Sequence, residues 1–147
     1  MEDIQAVEIL IVEDNPADAE LMLRALKKGG LMNKIFLVED GAEALDFVFS
    51  RGKYSGVPKN KNLKVIFLDL KLPKISGLEV LQILKNNSET RKFPVVIVTS
   101  SRQDPDIKKA YELGANSYVV KPVEFDTFFE TVKNLGLYWL LINEPSK

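Results

Sequence analysis

Along the chain, short runs of consecutive apolar positions alternate with longer stretches in which apolar residues recur every three or four positions. The runs are EILIV (8–12), KIFLV (34–38), VIFLD (65–69), PVVIVT (94–99) and SYVV (117–120). Between them lie ADAELMLRALKK, AEALDFVFS, LEVLQILKN and DIKKAYELG, and EFDTFFETVKNLGLYWLL follows the last. Leu21, Ala25 and Lys28 share a helical face, as do Leu78, Leu81 and Leu84, and Phe125, Phe128, Phe129 and Val132. Gly30, Gly52 and Gly114 fall where helices should end. Runs that are apolar on consecutive positions predict strands covered on both faces, as in a parallel sheet wrapped by helices. The alternation therefore predicts an α/β domain spanning residues 1–147, with five strand–helix units wound right-handedly into a doubly wound parallel sheet. Its last helix is expected from about 124 to 142.

In such sheets ligands bind outside the carboxyl ends of the strands, and there the polar residues collect. Glu13, Asp14 and Asn15 follow the first run, Asp69 ends the third, Thr99, Ser100 and Ser101 end the fourth, and Lys121 and Pro122 follow the fifth. Glu39–Asp40–Gly41 after the second run reads as a helix start. With strand order 2-1-3-4-5 the first and third strands flank the reversal point, so Glu13, Asp14 and Asp69 meet in one crevice beside Thr99 and Lys121. Each residue has a plainer explanation alone: Glu13 or Asp14 as a helix cap, Thr99 as an ordinary strand residue, Lys121 as a solvated lysine. Their coincidence on one sheet edge outweighs those readings.

Converging carboxylates raise one another's pKa unless a cation intervenes. An oxygen-only, half-open site suits Mg²⁺. Asp69 is then placed to act as a carboxylate nucleophile towards phosphorus, with Mg²⁺, the Lys121 ammonium and the Thr99 hydroxyl meeting the charge on the transferred group.

Composition narrows the chemistry further. The 147 residues contain neither cysteine nor histidine, which excludes disulfides, thiolate zinc sites, thiol nucleophiles and histidine bases. An already ionised carboxylate needs no such base. The net charge of −1 gives no global field pointing to nucleic acid or a membrane surface. No apolar run approaches the roughly 18 residues of a spanning helix, and the N-terminus MEDIQAVEILIVEDN is acidic rather than signal-like, so a cytoplasmic location is expected.

ILIVEDN, VIFLDLKLPKISG, PVVIVTSS and SYVVKP together resemble the receiver domain of two-component response regulators, the CheY-like fold with strand order 2-1-3-4-5, over about residues 7 to 136. The resemblance implies that Asp69 is the phosphoacceptor, and that Asp14 and Asp69 ligate Mg²⁺ with the backbone carbonyl of Lys71. It implies that Glu13 acts mainly through a metal-bound water, that Thr99 is the switch hydroxyl, Tyr118 the aromatic switch residue and Lys121 the lysine contacting the phosphoryl group. Pro73 and Gly77 match the loop after the phosphoacceptor strand. The family also implies a cis bond between Lys121 and Pro122, and a partner histidine kinase as phosphoryl donor.

Within the family, the long segment SRGKYSGVPKNKN (50–62), KLPKISG, TSSRQDPDI and the aromatic C-terminus resemble stand-alone regulators paired with bacterial phytochromes. The long segment itself reads as a solvated, hairpin-like excursion rather than a basic binding patch, despite Arg51, Lys53, Lys59 and Lys61. The last helix ends about six residues before the terminus, so no output domain is expected to follow, and the protein acts by touching a partner or by relaying phosphate to a histidine carrier. Phe125, Phe128, Phe129, Val132 and Leu135 already supply the apolar stripe of that helix. The surplus in LGLYWLLI (Leu137 to Ile142) predicts a homodimer through this region.

Three other classes fit less well. An aspartate-nucleophile phosphatase needs an acid two residues after the nucleophile, where this chain has Lys71. A nucleotide-binding α/β domain needs a GxGxxG or GxxxxGK[ST] loop after the first strand, and none follows it. A phosphorylation-independent adaptor is disfavoured because no key position of the receiver motifs is missing.

Overall fold

A computed structural model describes residues 7–31, 34–58, 62–121 and 125–144. Five parallel strands form one sheet in the order β2-β1-β3-β4-β5: β1 is Ile9–Val12, β2 Ile35–Val38, β3 Val65–Leu68, β4 Val95–Thr99 and β5 Ser117–Val120. Helices α1 (Pro16–Lys28), α2 (Gly41–Phe49), α3 (Gly77–Lys85), α4 (Asp104–Glu112) and α5 (Phe125–Leu137) alternate with them. The central strands are buried at every position because each face of the sheet has its own cover. Ile9, Ile11, Val65, Phe67, Val96 and Val98 pack with Met22, Leu26, Phe128 and Val132 of α1 and α5. The alternate positions Leu10, Val12, Ile66, Leu68, Val95 and Ile97 pack with Leu45, Val80, Leu81 and Ala110 of α2, α3 and α4. The period-2 geometry of a strand sends successive side chains to opposite layers, so a two-faced core requires unbroken apolar runs.

Local capping chemistry fixes where the helices begin. Asn15, rather than Glu13 or Asp14, caps α1, its side chain accepting from the N–H groups of Ala17 and Asp18. Asp40 caps α2 through the Glu43 N–H at 2.7 Å, and Ser76 caps α3. The buried stripe of α1 is Ala19, Met22, Ala25 and Leu26, whereas Lys28 is exposed and lies over the Phe129 ring at 5.8 Å. The helical spacing of Leu21, Ala25 and Lys28 thus marked the flank of the stripe, since a long lysine stem can cover apolar surface from outside.

Two expectations need correction. Helix α2 ends at Phe49 with Ser50 in the left-handed conformation (φ 54°), two residues before Gly52. The segment after it is solvated at most of its described residues, as expected, but it is not hairpin-like and one side chain anchors it. It makes a 3-10 turn, Gly52–Tyr54, whose Tyr54 ring is buried at 6% exposure against Phe36 and Phe47. Its hydroxyl donates to Glu43 Oε2 at 2.7 Å. An aromatic ring with a reachable acceptor gains more from burial than from solvation, so the loop is pinned. Helical structure runs to 142 as expected, and after Leu137 it changes from α to a π-helical turn, Tyr138–Ile142. The bond between Lys121 and Pro122 lies outside the described residues, as do Lys59 and Lys61.

Candidate functional site

The carboxyl ends of β1, β3, β4 and β5 converge on one crevice. Glu13 leaves the end of β1 at 2% exposure and Asp69 the end of β3 at 7%, while Asp14 is exposed between them. Carboxylate oxygens of Glu13, Asp14 and Asp69 lie within 4.8 Å of one another. From β5, the Lys121 ammonium reaches in, 2.6 Å from Glu13 Oε1, 2.8 Å from Asp18 Oδ2 and 2.9 Å from Asp69 Oδ2. Its three N–H donors thus have three carboxylate acceptors.

The loop after β3 is held close by backbone contacts. The Lys71 N–H donates to Asp69 Oδ1 at 3.2 Å, and the Gly77 N–H to the Leu70 carbonyl at 2.9 Å. A Cβ on Gly77 would collide with the Asp69 carbonyl oxygen and the Leu70 Cα, so only glycine lets α3 start this near the acid. In the same loop Lys74 adopts φ 67°, and its ammonium pairs with Asp40 at 3.4 Å.

The electrostatics separate the two buried carboxylates. Burial raises Glu13, and although Lys121 opposes it the neighbouring Asp69 charge adds to the rise, pushing Glu13 up to about 7. Burial would also raise Asp69, but hydrogen bonding and charge from Lys121, the Lys71 N–H and the Thr99 hydroxyl outweigh it and hold Asp69 below the usual aspartate value. Burial works against the Lys121 ammonium, yet its bonds to Asp18, Glu13 and Asp69 carry its pKa above the ordinary lysine value. Asp69 is therefore ionised at neutral pH, with its charge already matched to a cation, while Glu13 sits near its own titration point.

Thr99 is fully buried at the end of β4, its Oγ1 accepting from the Ser101 N–H at 3.5 Å. Tyr118 does not enter the crevice. Its hydroxyl donates to the Ser101 carbonyl at 3.0 Å, and its ring packs 6.5 Å from that of Tyr111 on α4. Ser101 in turn donates to Asp106 Oδ2 at 2.5 Å, joining the β4–α4 loop to the first turn of α4. The structure thus gathers Glu13, Asp14, Asp69, Thr99 and Lys121, and ties Tyr118 to the β4–α4 loop and α4 instead.

Sequence reasoning missed Asp18, which sits in the first turn of α1 and is a third acid on Lys121, beside Glu13 and Asp69. Asp18 follows the crevice acid Asp14 closely in the chain, but an acid in the first turn of a helix marks nothing by itself. As for a metal, the donor set offers oxygens only, and three carboxylates on one ammonium with Asp14 alongside leave surplus negative charge. The exposed Asp14 gives the group an open side where waters can remain, so these residues fit a hard divalent cation.

The family model of the response regulator receiver domain matches residues 9–133. The probable methanogenesis regulatory protein FilR2 of Methanothrix harundinacea is 39% identical over 133 residues, covering 90% of this chain and 83% of that one. Response regulator Rcp1 of Synechocystis is 35% identical over 132 residues, covering 90% and 88%, and the structure of its Mn²⁺-bound form superposes with a TM-score of 0.86 at 33% identity, over 96% and 99% of the chains. The phosphorylated cyanobacterial phytochrome response regulator RcpA gives a TM-score of 0.87 at 32% identity, over 96% and 99%. The bacteriophytochrome response regulator AtBRR is 50% identical, with a TM-score of 0.73 over 94% and 98%.

Proposed function

This chain belongs to the response regulator receiver domains, and from that premise we propose that it is a stand-alone signalling module switched by a phosphoryl group on Asp69. The observation carrying this reading is the Asp69 carboxylate itself, 7% exposed at the end of β3, with the Lys121 ammonium at 2.9 Å and the Thr99 hydroxyl beside it. The donor is a phosphohistidine on a partner kinase. An Asp69 oxygen forms a bond to phosphorus as the phosphorus–nitrogen bond breaks, and the departing imidazole keeps the electron pair and takes a proton from solvent. Held ionised by its neighbours, Asp69 attacks without a base.

Glu13, Asp14 and Asp69, with the Lys71 carbonyl, would hold Mg²⁺, which when bound supplies positive charge to the phosphoryl oxygens. Lys121 meets a phosphoryl oxygen, a step of small reach because its ammonium already lies in the crevice beside Asp69. Thr99 turns its hydroxyl to the same group and leaves the Ser101 N–H. That shift loosens the β4–α4 loop on which the Tyr118 hydroxyl is anchored, and the ring moves inward. The surface around β4, β5 and α4 then differs between the two states, a two-state element biased by local charge. The protein catalyses only its own phosphorylation and dephosphorylation.

The similarity to RcpA and AtBRR supports a bacterial phytochrome as the kinase, and such a kinase would place the protein in the cytoplasm. No helix among the described residues is long and apolar enough to cross a membrane. The reading also includes self-association through the end of α5, where Tyr138, Leu141 and Ile142 are 43%, 72% and 70% exposed.

Incubation with acetyl phosphate and Mg²⁺, followed by intact-mass measurement, tests the phosphoacceptor. The wild type should gain one phosphoryl mass and Asp69→Asn none. Equal gain in both would place the acceptor elsewhere.

A further inference from the structure

The Lys121 ammonium has three carboxylate partners, and they are not equivalent. Glu13 and Asp69 lie beneath it, their side chains 2% and 8% exposed, and both belong to the three-acid group suited to a divalent cation. Asp18 is 32% exposed and lies outside that group. It comes from α1, whose first turn is fixed by the Asn15 cap on the N–H groups of Ala17 and Asp18. The lysine is thus held from below by acids it would share with a cation, and from the solvent side by one it would not.

We infer that Asp18 is a positioning residue, the counter-ion that keeps Lys121 at the rim of the crevice once a divalent cation engages Glu13 and Asp69. This inference rests on the phosphoacceptor reading above. A dication among Glu13, Asp14 and Asp69 repels an ammonium in contact with two of those acids, because both charges seek the same oxygens. The ammonium has to give up Glu13 and Asp69 without leaving the crevice, since a phosphoryl group on Asp69 needs it within hydrogen-bonding distance. Asp18, at 2.8 Å on the outer side, supplies that resting contact. Without it, the cation-bound state leaves Lys121 with no unshared partner, whereas the cation-free state retains two. Removing Asp18 therefore penalises the cation-bound state more, which weakens cation binding and misplaces the lysine for the transfer.

The test uses the full chain with Mg²⁺ as probe. Mg²⁺ affinity is read from amide chemical shifts around residues 13–15 and 69–71, and phosphorylation by acetyl phosphate is timed at saturating Mg²⁺. Asp18→Asn should weaken Mg²⁺ and slow phosphorylation by about three- to tenfold each, the range expected for a partly buried ion pair. Asp18→Glu should restore most of both. In a Lys121→Gln background, Asp18→Asn should change either by less than about twofold, since coupled residues show non-additive effects. Undiminished binding and rate in Asp18→Asn overturn the inference. So does an equal loss with and without Lys121, which would make Asp18 act directly on the cation or on the helix. Faster phosphorylation in Asp18→Asn overturns it too, marking the acid as a repulsive charge towards the donor. If the wild type gains no phosphate, the phosphoacceptor reading fails, and the Mg²⁺ titrations across the same variants still decide the role of Asp18.

Discussion

Lys121 Nζ stands 2.9 Å from Asp69 Oδ2, although 52 residues separate them in the chain. The contact joins the end of β3 to the end of β5 across the intervening end of β4, where Thr99 is fully buried. One ammonium therefore senses the charge state of the nucleophile directly. Any group added to Asp69 has to be accommodated by Lys121 and Thr99 together, and both are continuous with the strands that carry the β4–α4 and β5–α5 connections.

Asp14 offers the cleanest test of the cation. It is exposed, so its removal leaves no cavity and no buried unpaired group. Asp14→Ala should fold normally and keep or slightly raise its thermal stability, because repulsion among the acids falls. It should lose phosphorylation by acetyl phosphate with Mg²⁺ almost entirely. A phosphorylation rate equal to wild type would remove Asp14 from the cation site.

Tyr118 reports the switch. Its hydroxyl is tied to the Ser101 carbonyl, and burial raises its pKa above the ordinary tyrosine value. Adding beryllofluoride and Mg²⁺ should shift the ring resonances of Tyr118 and of neighbouring Tyr111. Tyr118→Phe should lose about 0.5–1.5 kcal/mol of stability, the net worth of one hydrogen bond, while still accepting phosphate. Unchanged ring shifts would locate the conformational change elsewhere.

The parts of this architecture that were legible in the sequence are those that a single physical rule dictates. A two-faced core requires unbroken apolar runs, so all five strands fall inside the segments read as strands. Polar residues at the carboxyl ends of those runs had to meet at one edge, and Glu13, Asp14, Asp69, Thr99 and Lys121 do. Asp18 was not legible because helical acids are common, and only the fold shows that this one faces a lysine 103 residues away. Tyr54 was hidden for a related reason. Its neighbours Arg51, Lys53 and Ser55 are polar, and its burial depends on Phe36 from a distant strand.

Tyr54 accordingly carries a stability prediction. Its ring meets Phe36 at 6.0 Å and Phe47 at 5.4 Å, and its hydroxyl reaches Glu43. Tyr54→Ala should cost about 3–5 kcal/mol, the range for removing a buried aromatic ring. Tyr54→Phe should cost about 1–3 kcal/mol, since the hydroxyl bonds a charged acceptor. Urea denaturation distinguishes the two. A loss under about 1 kcal/mol for Tyr54→Ala would mean that the ring does not anchor the segment.

Asp40 gives a pH dependence of determinate sign. Its hydrogen bond from the Glu43 N–H holds the carboxyl below the ordinary aspartate value of 3.8, with Lys74 assisting against burial. A depressed folded-state pKa means the unfolded chain binds the proton more readily, so the cap contributes fully above the unfolded value and fades as pH falls through the folded one. Asp40→Ala should lose about 1 kcal/mol at neutral pH. The gap to wild type should narrow as pH drops below about 4. Asp40→Asn, which keeps an acceptor oxygen, should lose less and show little of this dependence. A gap that widens on acidification would contradict the assignment.

The end of α5 sets the last prediction. The π-helical turn divides the apolar surplus: Leu140 is buried at 6%, and Leu137 and Trp139 pack on the α1 side of the core. Tyr138, Leu141 and Ile142 remain outside. Three neighbouring apolar side chains at one site exceed the scattered surface hydrophobes of a monomer, and a second copy of the same surface would cover them in a symmetric, self-complementary contact. Cutting the chain after Gly136 would test this badly, because it would also remove Leu140 from the core. Replacing Leu141 and Ile142 with aspartate touches only the exposed pair. Sedimentation at tens of micromolar should show a dimer for wild type and a monomer for the double variant, with unchanged thermal stability when both are monomeric at high dilution. Wild type that sediments as a monomer in both the unmodified and phosphorylated forms would end the proposal.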